Sequence, residues 1–320
     1  MPGSKRNVHV HSVDDYIHAA TRDNTRRTYQ GAVEHFEVDW GGVLPTTSDT
    51  LCRYLSHYAS LLSFNTLKTR LAALSQWHQS QGFVDPTKAA QVKKVLKGIR
   101  ALHPAPVKKA QPLAMSVLQR IDNHLNEACR SDKRPIALRA ARDRALIWVG
   151  FWRGFRSDEL TRLTLQHINK SSDNALTLYL PQSKGDRLNT GRHVSLPELN
   201  ALCPTSALKT WQEMLNEQEG PVFRKIDRWG AVAEHALNPR SISRILRQRL
   251  QQAGIRDAQM FSSHSLRRGF AHWAAQQHWS LSDLMTYVGW KDTRTAMAYL
   301  DSLHPTFQQV NALASTHLHR

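Results

Sequence analysis

Three cysteines in 320 residues are too few for a disulfide framework, and Cys52, Cys129 and Cys203 stand far apart with no metal-type spacing. The odd count fits a reducing compartment. The first sixteen residues, MPGSKRNVHVHSVDDY, contain no apolar run of the kind a secretory leader needs. No stretch approaches the length of a membrane span, so no membrane partner is expected. Acidic residues are also scarce: 26 Asp and Glu face 43 Lys and Arg, a net charge of +17. That deficit points to a polyanionic partner. Residues 1–103 carry 13 basic and 8 acidic side chains, and residues 104–320 carry 30 and 18, so both parts share the bias. Seventeen histidines are present but scattered. The pairs His9/His11 and His317/His319 read as solvated tails rather than a metal site, and no metal or cofactor is expected.

The length allows two domains, each with its own core. Residues 1–20 are polar and read as a mobile N-terminal arm. Residues 21–103 read as a small helical bundle. Tyr29, Val33, Phe36 and Trp40 recur at helical spacing and stop at Gly41-Gly42. Leu51, Tyr54, Leu55, Tyr58 and Leu62 form a second apolar face. Leu67, Leu71 and Leu74 form a third, in a helix starting near Ser63 and stopping at Gly82. Asp85-Pro86 predicts an N-cap followed by proline at the first turn of a fourth helix. Val92, Val95, Leu96 and Ile99 are its apolar side. Lys93, Lys94, Lys97 and Arg100 lie away from that side, as a solvated face or a phosphate-contacting one. Residues 104–112 are rich in proline and contain Lys108 and Lys109. They read as a semi-rigid basic linker.

Residues 113–320 read as a larger second domain. A helix over 137–153 is strongly apolar and ends at Gly154. Arg156 follows in a tight junction, with a new helix capped at Ser157. The period then changes to that of strands at 175–180 and 192–196. The turn-rich segment between them predicts a β-hairpin with Lys184 at or near its turn. Two helices follow, over about 205–216 and 239–252. In the second, Arg240, Arg244 and Arg247 recur on a face away from Ile242, Leu246 and Leu250. That suits a groove- or phosphate-facing helix, and a solvated face is the alternative. The fold class expected is mainly α with a small β-hairpin or sheet, α+β.

The C-terminal stretch SHSLRRGFAHWAAQQHWSLSDLMTYVGWKDTRTAMAYLD concentrates the chemistry. His264 and Arg267 are three apart and project to one side of a helix. Trp290 follows a Gly289 stop, and Tyr299 comes nine residues later, after a cap at Asp292. A tyrosine hydroxyl ordinarily titrates near pH ~10 and is a poor nucleophile at neutral pH. Beside fixed cations it can attack a phosphodiester if donors hold the non-bridging oxygens and an acid protonates the leaving oxygen. Arginine suits the first task because its fork matches a phosphate. Lysine or histidine suits the second. Taken singly, each of these residues could equally be core or solvated surface.

As an ordered set, GFRSDEL at 154–160, SKGD at 183–186, HSLRRGF at 264–270 and YVGWKDTRTAMAYL at 287–300 resemble the tyrosine recombinases, the phage integrase family. Details resemble the Cre-like subgroup, because Trp290 stands where most members carry a second histidine. It keeps a hydrogen-bond donor and removes a titratable base. The resemblance implies a helical, SAM-like core-binding domain followed by a catalytic domain. It implies that Tyr299 attacks and stays joined to the 3′ phosphate. Arg156 and Arg267 would clamp that phosphate, with a further bond from Trp290. Lys184 would protonate the 5′ oxygen, His264 would assist, and Glu159 would support the site by holding an arginine or a nearby backbone. The phosphotyrosyl bond would keep the energy of the broken phosphodiester, so religation would need neither ATP nor metal. The partners implied are double-stranded DNA with specific recombination sites and three further copies of the chain, in a homo-tetramer. A cytoplasmic, nucleoid-associated location follows. Phe307, Val310, Leu313 and Leu318 form a terminal stripe that would dock on a neighbouring subunit. Two other functions fit the same residues less well: a type IB topoisomerase-like nicking-closing enzyme, and a non-catalytic DNA-binding regulator of recombinase descent.

Overall fold

The computed structural model describes residues 12–104, 109–170, 175–181 and 190–300. Lys108, Lys184 and the apolar stripe at 307–318 lie outside the described residues. The chain divides into two compact units, 1–108 and 109–320.

The first unit is helical. Helix α1 (Val13–Ala20) closes a capping box, in which Ser12 accepts from the Asp15 amide and Asp15 accepts from the Ser12 amide. Residues read as part of a polar arm are therefore helical from position 13. Helix α2 (Asp23–Glu34) continues into a π-helical turn, His35–Asp39, before Gly41 breaks it. Helices α3 (Ser48–His57), α4 (Phe64–Ser80) and α5 (Ala90–Leu102) complete the unit. Their apolar faces meet in one core of Phe36, Leu51, Tyr54, Leu55, Leu67, Leu71, Leu74, Val92 and Ile99. The fourth apolar segment does not start as expected. Pro86–Lys88 is a 3₁₀ turn, and α5 begins only at Ala90. The Asp85 carboxylate is taken by the Thr87 amide and hydroxyl and by Ser75, which holds the chain in a turn.

The second unit is built around α7 (Arg134–Trp152), which is buried on nearly every side from Ala137 to Trp152. A helix apolar all round belongs at the centre of a core. Packed around it are α6 (Met115–Cys129), α8 (Ser157–Thr161), α9 (Pro204–Leu215), α10 (Pro239–Gln252), α11 (Ser263–Gln276), α12 (Leu281–Val288) and α13 (Thr293–Leu300). Two charges in α7 are buried as well. Asp143 pairs with Arg142 and, across the core, with Arg249 of α10, each at 2.6 Å.

A three-stranded antiparallel sheet joins β1 (Ile168–Lys170), β2 (Leu176–Leu180) and β3 (Arg192–Leu196) in that order. The β2/β3 register pairs Leu180 with Arg192 and Leu176 with Leu196. Leu176, Leu178 and Leu180 alternate inward from β2. A second antiparallel pair, β4 (Arg224–Ile226) and β5 (Val232–Ala236), was not expected from the sequence, nor was β1. The protein is thus mainly helical with two small antiparallel sheets.

Candidate active site

Two local structures converge near the C-terminal end of α7. The first is the α7–α8 junction. Gly154 stops α7 in the left-handed region at φ 55°, where a side chain would press on Val288 and Arg267. Phe155 is buried and anchors the turn. Arg156, not Ser157, is then the N-cap of α8. The cap bond comes from Glu159 at the third helical position, whose Oε2 accepts from the Arg156 amide at 2.8 Å. Its Oε1 accepts from Arg156 Nη1 at 3.0 Å. One carboxylate therefore fixes both the backbone and the guanidinium of Arg156.

The second is α11, started by a capping box between Ser262 and Ser265. It turns Arg267 fully inward. Arg267 Nη1 donates to the Gly154 carbonyl at 2.5 Å and lies 3.9 Å from Glu159 Oε2. Its Nε and Nη2 are buried and have no hydrogen-bond partner. Burial, and then the neighbouring Arg156, pulls the Arg267 pKa down to about 10, with Glu159 and Tyr299 opposing.

Two more arginines enter from β3 and α7. Arg192 Nη2 donates to the Val288 carbonyl at 3.3 Å, and Arg153 Nη2 to the Tyr287 carbonyl at 2.8 Å. Both therefore bind carbonyls at the C-terminal end of α12, where the helix dipole favours cations. The Arg153 guanidinium also lies 3.8 Å from the Tyr287 ring centroid. Burial lowers the Arg192 pKa, with Glu159 opposing and Arg153 and Arg156 adding to the fall.

Helix α12 ends at Gly289, φ 76°, whose amide donates to the Met285 carbonyl. The reversal brings Trp290 inward, 5% exposed, with its indole Nε1 buried and without a partner. Asp292 then caps α13, accepting from the Arg294 amide at 3.1 Å and the Thr295 hydroxyl at 3.2 Å. Tyr299 sits half-buried on the last turn of α13. Its ring stacks on Trp290 with centroids 5.0 Å apart and planes at 23°. The Arg267 guanidinium carbon lies 4.9 Å from the Trp290 centroid and 5.6 Å from that of Tyr299.

Four arginines around one carboxylate leave an excess of positive charge. Five buried nitrogens of this cluster, Nε and Nη2 of Arg267, Nε1 of Trp290, and Nε of Arg153 and of Arg192, have no acceptor among the described residues. Leaving such donors unsatisfied costs about 1–3 kcal/mol each. A ligand with several anionic oxygens would satisfy them, and a phenol stands beside it. This is the arrangement an oxyanion-stabilised attack by tyrosine requires. Among the described residues no group of His, Cys, Asp and Glu could hold a metal.

Residues 117–305, more than half of the chain, match the model of the phage integrase family. The chain belongs to the phage integrase family. It is accordingly a tyrosine site-specific recombinase. It is 28% identical over 289 residues to an integrase/recombinase XerD homolog of Selenomonas ruminantium, across 87% of this chain and 82% of that protein. Its fold is similar to that of the XerH site-specific recombinase bound to a palindromic difH substrate in a post-cleavage complex. There the TM-score is 0.60 and the identity 21%, over 90% of this chain and 78% of the other. The integrase of transposon Tn1549, in complex with transposon right end DNA, is similar at TM-score 0.60 and 12% identity, over 95% and 97% of the two chains.

For a phage integrase family member, five of the residues singled out in sequence come together: Arg156, Glu159, Arg267, Trp290 and Tyr299. His264 is exposed in the first turn of α11, one turn before Arg267. Lys184 belongs to the connection between β2 and β3, outside the described residues. In the first unit Lys93, Lys94, Lys97 and Arg100 are all exposed, with the Arg100 guanidinium 5.7 Å from the Phe64 ring centroid. Lys109 is exposed, as are Arg240 and Arg244 on α10. Arg247 differs from the other two: it is half-buried and donates from Nε to the Phe261 carbonyl at 2.8 Å. Sequence reasoning missed Arg153, whose signal is a basic residue in the apolar run that ends α7, and Arg192, which opens β3 between Gly191 and His193 and carries no such signal.

Proposed function

We propose that Tyr299 is the nucleophile that cleaves double-stranded DNA at a specific site, and that the cluster around Arg267 is the seat of the scissile phosphate. The observation that carries this reading is the buried, unpartnered N–H set of Arg267 and Trp290 beside the Tyr299 ring. Tyr299 Oη attacks the phosphorus. The bond to the 5′ oxygen breaks, and the 3′ phosphate stays joined to the tyrosine. Arg156, Arg267 and the Trp290 indole donate to the non-bridging oxygens as charge builds on them. Glu159 keeps Arg156 in place. Lys184 protonates the departing 5′ oxygen. The Leu180–Arg192 pairing supports that role, because the connection carrying Lys184 begins and ends beside Arg192. His264 assists from the start of α11.

The reverse attack by a 5′ hydroxyl of the partner duplex restores the phosphodiester without ATP. The exposed rows Lys93, Lys94, Lys97 and Arg100 in one unit and Arg240 and Arg244 in the other contact the phosphate backbone. Four chains on two sites exchange strands in pairs through a Holliday junction, with the segment after Tyr299 docking between subunits. The test is a suicide DNA substrate, nicked beside the scissile phosphate. Wild type is expected to form a covalent protein–DNA adduct, and Y299F none. Wild type without an adduct on its own site would sink the reading.

A further inference from the structure

Besides Ser265 of its capping box, helix α11 turns Arg267, Arg268 and His272 towards the interior, and of these three only Arg267 has a role in the proposed function. Arg268, one residue on, is buried, and its Nη1 donates to the Ala298 carbonyl in a long bond of 3.4 Å. His272, a further turn on, lies 3.1 Å through Nε2 from the Tyr299 carbonyl. Both acceptors belong to the last turn of α13. That turn carries the nucleophile, so donors that reach its carbonyls tie the nucleophile's backbone to α11.

We propose that Arg268 and His272 are positioning residues that hold the last turn of α13, so that Tyr299 faces the Arg267 cluster. This rests on Tyr299 being the nucleophile. Neither side chain touches the reacting atoms. One rigid helix therefore supplies both the phosphate clamp, through Arg267, and the tether for the attacking group, through the two residues beyond it. The spacing explains the division. Arg267 projects towards the rings of Trp290 and Tyr299, while Arg268 and His272 project towards the backbone of the same helix from another side. The donor chemistry suits the acceptors. A charged guanidinium donates strongly to a carbonyl, and an imidazole N–H needs no charge to bind one. Burial, and then the nearby Arg268, lowers the His272 pKa, with the Tyr299 carbonyl opposing, and that carbonyl beside Nε2 selects the tautomer that carries its proton there. Displacing a reacting group by ~1 Å is enough to lower a rate by about a hundredfold, so the hold matters even if the helix survives without it.

The test compares adduct formation and binding on the same suicide DNA. H272L removes the donor at similar volume, and H272Q restores an N–H that reaches the carbonyl. The expected result is a rate of adduct formation lowered by about tenfold or more in H272L, with DNA affinity within about twofold of wild type and most of the rate recovered in H272Q. R268M is expected to act in the same direction and R268K to recover part. If H272L does not fold, H272N replaces it, since the shorter amide cannot reach. Hydrogen exchange supplies a readout independent of activity: amides at 296–300 should exchange faster in the variant, with those of α11 unchanged. Adduct formation at the wild-type rate in both H272L and R268M overturns the proposal. So does a loss in H272Q as large as in H272L. Absence of an adduct from wild type instead removes Tyr299 as nucleophile, and this inference with it.

Discussion

Arg267 and Glu159 stand 3.9 Å apart, both buried, with the carboxylate already bonded twice to Arg156. Among the described residues, the buried anion nearest Arg267 is thus committed to another residue. Each pKa unit is worth about 1.4 kcal/mol, so the fall to about 10 makes the buried cation of the DNA-free protein costly by roughly 3 kcal/mol. That cost applies wherever Arg267 is protonated in both the folded and unfolded states, hence at every pH below about 10.

R267M should therefore stabilise the DNA-free protein while abolishing cleavage. The gain is about 1–3 kcal/mol before subtracting the bond to Gly154, which raises Tm by about 2–4 °C per kcal/mol. Wild type should also gain more than R267M from added sulfate, which can occupy the anion seat. Differential scanning calorimetry with and without sulfate measures both. A lower Tm for R267M without sulfate would show that the cation is already compensated.

Trp290 presents an indole N–H to a space without a protein acceptor. W290F keeps most of the ring stack on Tyr299 and removes only the donor. Adduct formation should fall by about 100- to 1,000-fold, with Tm unchanged or slightly raised. Single-turnover cleavage and thermal melting separate the two effects. An equal loss in DNA affinity would mean that the indole binds ground state and transition state alike.

Gly289 is where α12 reverses to deliver Trp290. Its φ of 76° lies in the left-handed region, and an added Cβ would collide with the Arg192 guanidinium. G289A should cost about 1–2 kcal/mol for the backbone alone, and more for displacing Arg192. Urea unfolding measures it. A loss below ~0.5 kcal/mol would indicate that Arg192 moves aside freely.

Asp143 bridges Arg142 and Arg249 inside the second unit. D143A leaves two guanidiniums buried without their shared partner and should destabilise by about 3–5 kcal/mol. D143N, which keeps the volume and one acceptor oxygen, should cost less. Equal losses would mean that volume rather than charge is what Asp143 supplies.

The gathering of Arg156, Glu159, Arg267, Trp290 and Tyr299 was legible in sequence because they come in ordered short motifs: a helix junction at Arg156, an HSLRR helix and a Gly289 stop ahead of Trp290 and Tyr299. The long apolar helices were equally legible, since their core faces repeat at helical spacing. What escaped was what tertiary packing decides. Strands β1 and β4 are three residues long, too short for any alternation to register. The cap of α8 falls to Glu159 rather than Ser157, because a carboxylate three residues into the helix also answers the Arg156 guanidinium. Arg153, Arg192, Arg268 and His272 look like surface residues by type. They are drawn inward to backbone carbonyls of α12 and α13, acceptors visible only once those helices are placed. Arg247 shows the reverse: an arginine on a regular exposed row is partly turned inward by one free carbonyl at Phe261.

The central claim is that Tyr299 itself becomes joined to DNA, and peptide mapping of the trapped adduct tests it most directly. Wild-type protein is reacted with a suicide substrate, digested with protease and nuclease, and sequenced by mass spectrometry. The account predicts a single modified peptide from α13, carrying a 3′-linked nucleotide on Tyr299, and none from Y299F. A nucleotide on any other residue, or an adduct that persists in Y299F, would contradict it.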